Sequence, residues 1–249
     1  MERIASRRNP LCVHIKKLGA SRGYRESCGQ FLCDGQKLLE EAVMCGVEIE
    51  AVLTSSHLPF PLPVNTKAYY AERGLIDSLS PLKNAQDTLF TCKTPTPKLR
   101  MEAPGTHVLL DSVQDPGNVG TIIRTANAFG IMNVILTDGC ADPYNPKTIR
   151  ASMGAIFRQS IHRPTVPELS GLKNSGLKFI GATLEKNCRK VSEVDYKDTI
   201  IVIGSEGRGI SEGILALCNE RISIPIAPGC ESLNAAIAAA IIMWEATTR

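Results

Sequence analysis

The sequence predicts an α/β protein in two parts, a small α/β unit followed by a larger one built on a mostly parallel sheet. Three observations carry this expectation. Beyond residue 106, short apolar runs alternate with helix-length segments, the pattern of strands covered on both faces. Ahead of residue 97 stands a shorter strand–helix–strand series of its own. Between them, Thr94–Thr106 carries Pro95, Pro97, Pro104 and Gly105, which is linker composition. The resulting division is a domain over 1–97, a linker over 98–105 and a second domain over 106–249. A chain of 249 residues accommodates this, and 43% hydrophobic residues are enough for a sizeable core.

In the first part, Phe31-Leu32-Cys33 is a short apolar strand, and Gln36–Met44 has helical spacing through Leu38, Leu39, Ala42 and Val43. Ile49–Leu53 follows as a strand after Gly46, with further strands at Lys67–Tyr69 and Thr88–Thr91 and a helix around Ile76–Leu79. The formal charge of +3 says little, but residues 1–30 carry +5 of it through Arg3, Arg7, Arg8, Lys16, Lys17, Arg22 and Arg25 against Glu2 and Glu26. A basic leading segment suits a polyanionic partner, and a solvated, partly disordered arm explains it as well. Nine scattered cysteines with no C-x-x-C pair and no His pair at zinc spacing fit reduced thiols of a cytosolic protein, with no metal. Residues 1–25 lack the apolar core of a secretory signal, and the run Ala235–Trp244 is too short to span a bilayer.

In the second part, strands are predicted at Val134–Thr137, Phe157–Ser160, Lys178–Ala182, Ile200–Gly204 and Ile222–Ile226. The stretch Asp111–Gly130, DSVQDPGNVGTIIRTANAFG, follows the apolar run Val108–Leu110. It reads as a strand end, a tight turn at Asp115–Asn118, and a helix capped by Asn118 and stopped at Gly130. A plain strand-to-helix crossover does not account for a polar, glycine-bearing loop with Arg124 about two turns into the helix. Thr199–Ile210, TIIVIGSEGRGI, is a strand running into a turn where Gly204, Gly207 and Gly209 let backbone approach a ligand, with Ser211 capping the next helix. No G-x-x-x-x-G-K-[ST] is present, and no G-x-G-x-x-G opens a helix after the first strand, so P-loop and dinucleotide sites are unsupported. Ile222–Asn234, ISIPIAPGCESLN, forms a loop stiffened by Pro225 and Pro228, with Ser232 as cap of a final helix Ala235–Ala246. That helix is rich in alanine and isoleucine, which suits close packing in a core or across a dimer.

These three stretches, in this order, resemble the three motifs of the SpoU (TrmH) family of RNA ribose 2′-O-methyltransferases. The first follows D-x-x-x-D-P-x-N-x-G-x-I-x-R-T-A-x-A-F-G almost without a break, and I-G-S-E-G-x-G is the wording of the second. The third departs in having Pro228 where a glycine is common. The segment Asn145–Ala155 is similar to the family's K-x-x-R-A-S-x-G-A stretch, with Pro146 suiting a helix start and Arg150 offered either to RNA phosphate or to a surface ion pair. More weakly, Asn9-Pro10…Arg25-Glu26…Phe31…Gly35 is similar to the opening of the RNA-binding domain, related to ribosomal protein L30e, found ahead of such enzymes. A packing or dimerisation domain is the other reading of that unit.

The resemblance implies a SPOUT fold with a C-terminal trefoil knot, although chain connections are normally unknotted. It implies a homodimer whose motif loops hold S-adenosyl-L-methionine through Gly204, Ile224 and Leu233, with Thr183 nearby. It nominates Arg124 as catalytic, supported by Asn118, Glu206, Ser232 and Asn234. A guanidinium stays protonated, so Arg124 is better read as orienting the ribose hydroxyl and stabilising developing negative charge than as a base. RNA contacts are expected from Arg7, Arg8, Lys16, Lys17, Arg22, Arg25 and Arg150. The implied substrate is structured RNA, 23S rRNA first and tRNA second. A catalytically silent RNA-binding relative would not be expected to keep Arg124, Glu206 and Asn234, and a nucleotide-dependent metabolic enzyme leaves the basic segment unexplained.

Overall fold

The computed structural model describes residues 1–97, 100–185 and 188–248. In chain order its first elements are β1 (Glu2–Arg3), α1 (Pro10–Ala20), α2 (Arg22–Cys28), β2 (Gln30–Asp34), α3 (Gln36–Met44), β3 (Ile49–Thr54), β4 (Lys67–Tyr70), α4 (Arg73–Leu79) and β5 (Thr88–Lys93). Then come β6 (His107–Asp111), α5 (Pro116–Ala128), β7 (Asn133–Leu136), α6 (Pro146–Ser152), β8 (Ser160–His162), α7 (Val166–Gly171) and β9 (Lys178–Ala182). The last are β10 (Arg189–Lys190), β11 (Thr199–Gly204), α8 (Glu212–Leu215), β12 (Glu220–Ser223) and α9 (Ala235–Thr247). They group into two compact units, Met1–Pro95 with Asp142–Arg158, and Thr96–Ala141 with Gln159–Arg249. Of the linker expected over 98–105, Lys98 and Leu99 lie outside the described residues.

The first unit has a five-stranded sheet in the order β1-β4-β3-β5-β2, with β5 antiparallel to both its neighbours. Its basic leading segment is folded. Asn9 caps α1 by accepting from the Leu11 amide at 2.9 Å, and Pro10 sits in the first turn, where its missing N–H is no loss. Cys12, Ile15 and Leu18 are buried along α1, in a core shared with Leu32, Leu53, Ile76 and Leu89. Lys16 and Lys17 stay exposed, so the charges mask an apolar stripe of helical period in the sequence.

Asp142–Arg158, expected in the second domain, belongs to this unit. Phe31 on β2 packs on Tyr144 and Phe157, with ring centroids 4.9 Å and 6.4 Å away. Arg25 also needs correction as an RNA contact. It is only 4% exposed. Its guanidinium donates to Asp142 Oδ2 at 2.7–2.8 Å and to the Leu18 carbonyl. These pairs are far apart in sequence, so a linear division at a proline-rich stretch assigns the segment to the wrong side. Arg25→Ala strands the buried Asp142 carboxylate and is expected to cost about 3–5 kcal/mol by urea denaturation. An Arg25→Ala/Asp142→Ala double variant should recover part of that loss, because no unpaired charge is left behind.

The second unit holds a seven-stranded sheet, β10-β12-β9-β11-β6-β7-β8, parallel at every pairing. Leu109, Ile135, Phe179, Ile200 and Val202 pack with Leu169, Leu172 and Ile214. The central strands are buried along their length, which is why they read as unbroken apolar runs. Two of the strands predicted for this unit differ from expectation by more than one residue. Ala155–Phe157 is a 3₁₀ turn entered through Gly154 (φ 85°), so the strand starts only at Ser160. The strand expected at Ile222–Ile226 runs Glu220–Ser223, because Pro225 has no N–H for the ladder.

At the β6 start, His107 is fully buried and accepts from Asn133 Nδ2 at Nδ1 (2.9 Å), while Nε2–H donates to the Ala103 carbonyl (2.7 Å). Acceptance at Nδ1 requires the neutral ring. Burial, aided by the nearby His162, holds its pKa below 6.5, against the opposing pull of the Ala103 carbonyl and Asp198. The unfolded chain therefore binds this proton more readily, and the contribution present at neutral pH is lost as pH falls below about 6.5. The urea midpoint should drop between pH 7 and pH 5, and His107→Gln should flatten that dependence.

Candidate active site

The site grows from the C-terminal ends of β6 and β11, neighbours in register with Gly204 opposite Asp111. After β6 the chain turns into α5, capped by Asp115, whose Oδ1 accepts from the Asn118 amide at 2.8 Å. The expectation that Asn118 is the cap is thereby corrected, and the consequence is chemical. With that duty on Asp115, the Asn118 side chain is free to donate through Nδ2 to Glu206 Oε1 and accept at Oδ1 from Asn234 Nδ2 (3.1 Å). Asn234, not Ser232, caps α9, its Oδ1 accepting from the amides of Ala236 (2.9 Å) and Ile237 (3.3 Å). Glu206, Asn118 and Asn234 thus form one hydrogen-bonded chain across the three motif stretches.

Beyond Gly204 the chain closes on itself. Ser205 and Gly209 exchange backbone hydrogen bonds at 3.0 Å, with Gly209 in the left-handed region at φ 69°. Gly204 lies so close to this closure that an added Cβ would sit 2.2 Å from the Gly209 carbonyl carbon. A cavity of about 510 Å³ opens beside the loop. Ile203, Ile210, Leu215 and Ile226 give it apolar walls, and Ser205, Glu206 and Arg208 add polar groups.

All four residues expected to hold a cofactor, Thr183, Gly204, Ile224 and Leu233, line this one cavity, as do Glu206 and Ser232. Asn118 joins it through its hydrogen bond to Glu206, and Asn234 through its bond to Asn118. Arg124 is exposed on α5 and does not line the cavity; among the described residues it has no hydrogen-bond or ion-pair partner. The residues expected to contact RNA all fall in the first unit, Arg150 included. Arg7, Arg8, Lys16 and Lys17 are exposed, Arg22 pairs with Glu26 at 2.9 Å, and Arg150 donates to the Asn84 carbonyl at 2.9 Å. Glu185, which also lines the cavity and is held by Arg221 at 2.7 Å, has no signal in the sequence that distinguishes it from a surface carboxylate. Burial pushes the thiol of Cys218, beside Gly181, up to about 11, so it remains protonated at neutral pH and is no nucleophile.

The chain is 32% identical to the 23S rRNA (guanosine(2553)-2′-O)-methyltransferase RlmP of Bacillus subtilis, over 98% of each protein. Among solved structures it is similar to an AdoMet-bound rRNA methyltransferase from Sinorhizobium meliloti (26% identity, TM-score 0.87, covering 98% of this chain and 97% of the other). It is similar also to the SpoU methyltransferase AviRb of Streptomyces viridochromogenes in complex with AdoMet (27% identity, TM-score 0.83, covering 97% and 98%). Residues 105–244 match the SpoU rRNA Methylase family, and with the arrangement of motif loops described above the chain belongs to that family.

Proposed function

We propose that this protein transfers the methyl group of S-adenosyl-L-methionine to a ribose 2′-oxygen of structured RNA, 23S rRNA in the first place. The observation that carries the reading is that Thr183, Gly204, Ile224 and Leu233 line one cavity whose Glu206 is bonded through Asn118 to Asn234. The residues fit the cofactor. Apolar walls suit an adenine and exclude water, while a loop kept bare by Gly204 brings backbone polar groups to the ligand. When bound, the cofactor supplies a methyl group on a positively charged sulfur that an attacking oxygen displaces. Ile224, Leu233 and Gly204 hold it, and Glu206, braced by Asn118, presents a fixed carboxylate at the cavity edge. Arg124 orients the ribose hydroxyl with its adjacent phosphate and stabilises negative charge as the proton leaves. Asn234 ties the third loop to the first through Asn118, and Ser232 adds a hydroxyl to the cavity lining.

The fold reading extends to a C-terminal trefoil knot. It is supported by Ile224–Leu233 sharing the cavity with the Gly204–Ile210 loop and by α9 packing on both α5 and β11. A homodimer fits the outer face of α9, where Ile237, Ile241 and Trp244 are exposed at helical spacing. The first unit is read as an RNA-holding domain similar to ribosomal protein L30e, using Arg7, Arg8, Lys16, Lys17, Arg22 and Arg150. Cytoplasmic placement accords with nine free cysteines. Among the described residues no helix is long and apolar enough to cross a membrane, and no cluster of three metal-ligating side chains occurs.

The test is transfer of labelled methyl groups from S-adenosylmethionine to unmodified rRNA and tRNA, followed by mapping of 2′-O-methylation. One methylated ribose in 23S rRNA is the expected result. Methylation confined to tRNA would overturn the substrate assignment, and no cofactor binding at all would overturn the activity.

A further inference from the structure

The geometry points to Asp111 as a positioning residue whose carboxylate fixes the far end of the cofactor loop, an inference that rests on the proposed binding of S-adenosylmethionine beside it. Asp111 ends β6 and is only 3% exposed. Among the described residues it has no ion pair, so donors alone must compensate a buried carboxylate. Oδ2 accepts from the Ser211 amide at 2.7 Å, and Oδ1 accepts from the hydroxyls of Thr137 (3.2 Å) and Ser112 (3.3 Å).

One of these bonds holds the far end of the loop, while strand pairing holds the near end. Its near end, Gly204, is the register partner of Asp111 on the adjacent strand. Its far end is Ser211, one residue after the cavity-lining Ile210 and held, among the described residues, through the carboxylate and its own helical turn. The Ser205–Gly209 pair closes the loop on itself but ties it to nothing else. The backbone around Asp111 is correspondingly constrained: Ser112 adopts φ 60°, a conformation costly for a residue with a side chain, and its amide donates to Thr137 Oγ1 at 3.0 Å. A charge-assisted bond to the Ser211 amide is stronger than a neutral one, so the ionised carboxylate holds the loop more firmly than an amide would.

The effect is on cofactor affinity rather than on RNA. By titration calorimetry, Asp111→Asn should raise the Kd for S-adenosylmethionine about threefold to tenfold, and Asp111→Ala about a hundredfold, because the Ser211 amide is then left without its acceptor. The KM for RNA should stay unchanged in both. Thr137→Val removes a donor to the same carboxylate without touching Ser211, and serves to separate positioning from general support of the fold. It should leave the cofactor Kd unchanged. If Asp111→Ala fails to fold, Asp111→Asn, which keeps shape and one acceptor, decides. Wild-type affinity in Asp111→Asn and Asp111→Ala, or an equal loss in Thr137→Val, would overturn the positioning role alone. Failure of the wild-type protein to bind S-adenosylmethionine would overturn the cofactor reading and this inference together.

Discussion

Arg124→Ala is expected to lower methyl transfer by about 10²–10³-fold, the loss typical of removing one preorganised donor from a site of developing negative charge. Cofactor affinity should be untouched, since Arg124 does not line the cavity. Stability should be untouched too. The side chain is exposed and, among the described residues, leaves no partner stranded when removed. This separation makes the variant informative, because a fall in rate at saturating RNA, with constant thermal midpoint and constant S-adenosylmethionine Kd, assigns the loss to the chemical step. Arg124→Lys should recover little, as a point charge cannot engage a hydroxyl and a phosphate with one planar fork. Full transfer by Arg124→Ala would remove the residue from the mechanism.

The second large effect is expected at Gly204. An added Cβ would lie 2.2 Å from the Gly209 carbonyl carbon and 2.3 Å from the Ile210 amide nitrogen. Both contacts are backbone, so no side-chain rotation relieves them. Gly204→Ala must push the Ser205–Gly209 closure outward, and overpacking of this kind costs about 1–3 kcal/mol. The displaced atoms form the cavity edge, so calorimetry should find S-adenosylmethionine binding weakened at least about thirtyfold. Gly207→Ala, where an added Cβ meets nothing within 4 Å, is the matched control and should bind normally. Equal affinity in all three proteins would mean that the loop backbone does not hold the cofactor.

Much of the architecture was legible because its causes are local. Lys178–Ala182 and Gln36–Met44 were predicted to the residue: apolar content and flanking breakers act within a few residues of chain. A mostly parallel sheet was expected from unbroken apolar runs, since strands buried on both faces have no need to alternate, and the sheet of the second unit is parallel at every pairing. Where local rules failed, several candidates competed for one role. Asn118 and Asp115 both suit a helix start, as do Ser232 and Asn234, and composition does not choose between neighbours of equal capping ability. The chain's return to the bond-forming position chose: Asp115 reaches the Asn118 amide, and Asn234 reaches the amides of α9. Arg25 misled because a basic residue in a basic segment looks solvent-bound, and its buried partner lies 117 residues later.

By itself, the sequence determined the α/β class with its parallel sheet, the order of the three motif stretches and the residue types offered to a ligand, because turn chemistry, periodicity and motif spacing are properties of contiguous chain. Only the tertiary structure decided which of those residues meet. Asn118 finds Glu206 across 88 residues and Asn234 across 116, and Asp111 finds Ser211 across 100. Such contacts depend on strand order and register, here the placement of β11 directly beside β6, which no local spacing encodes.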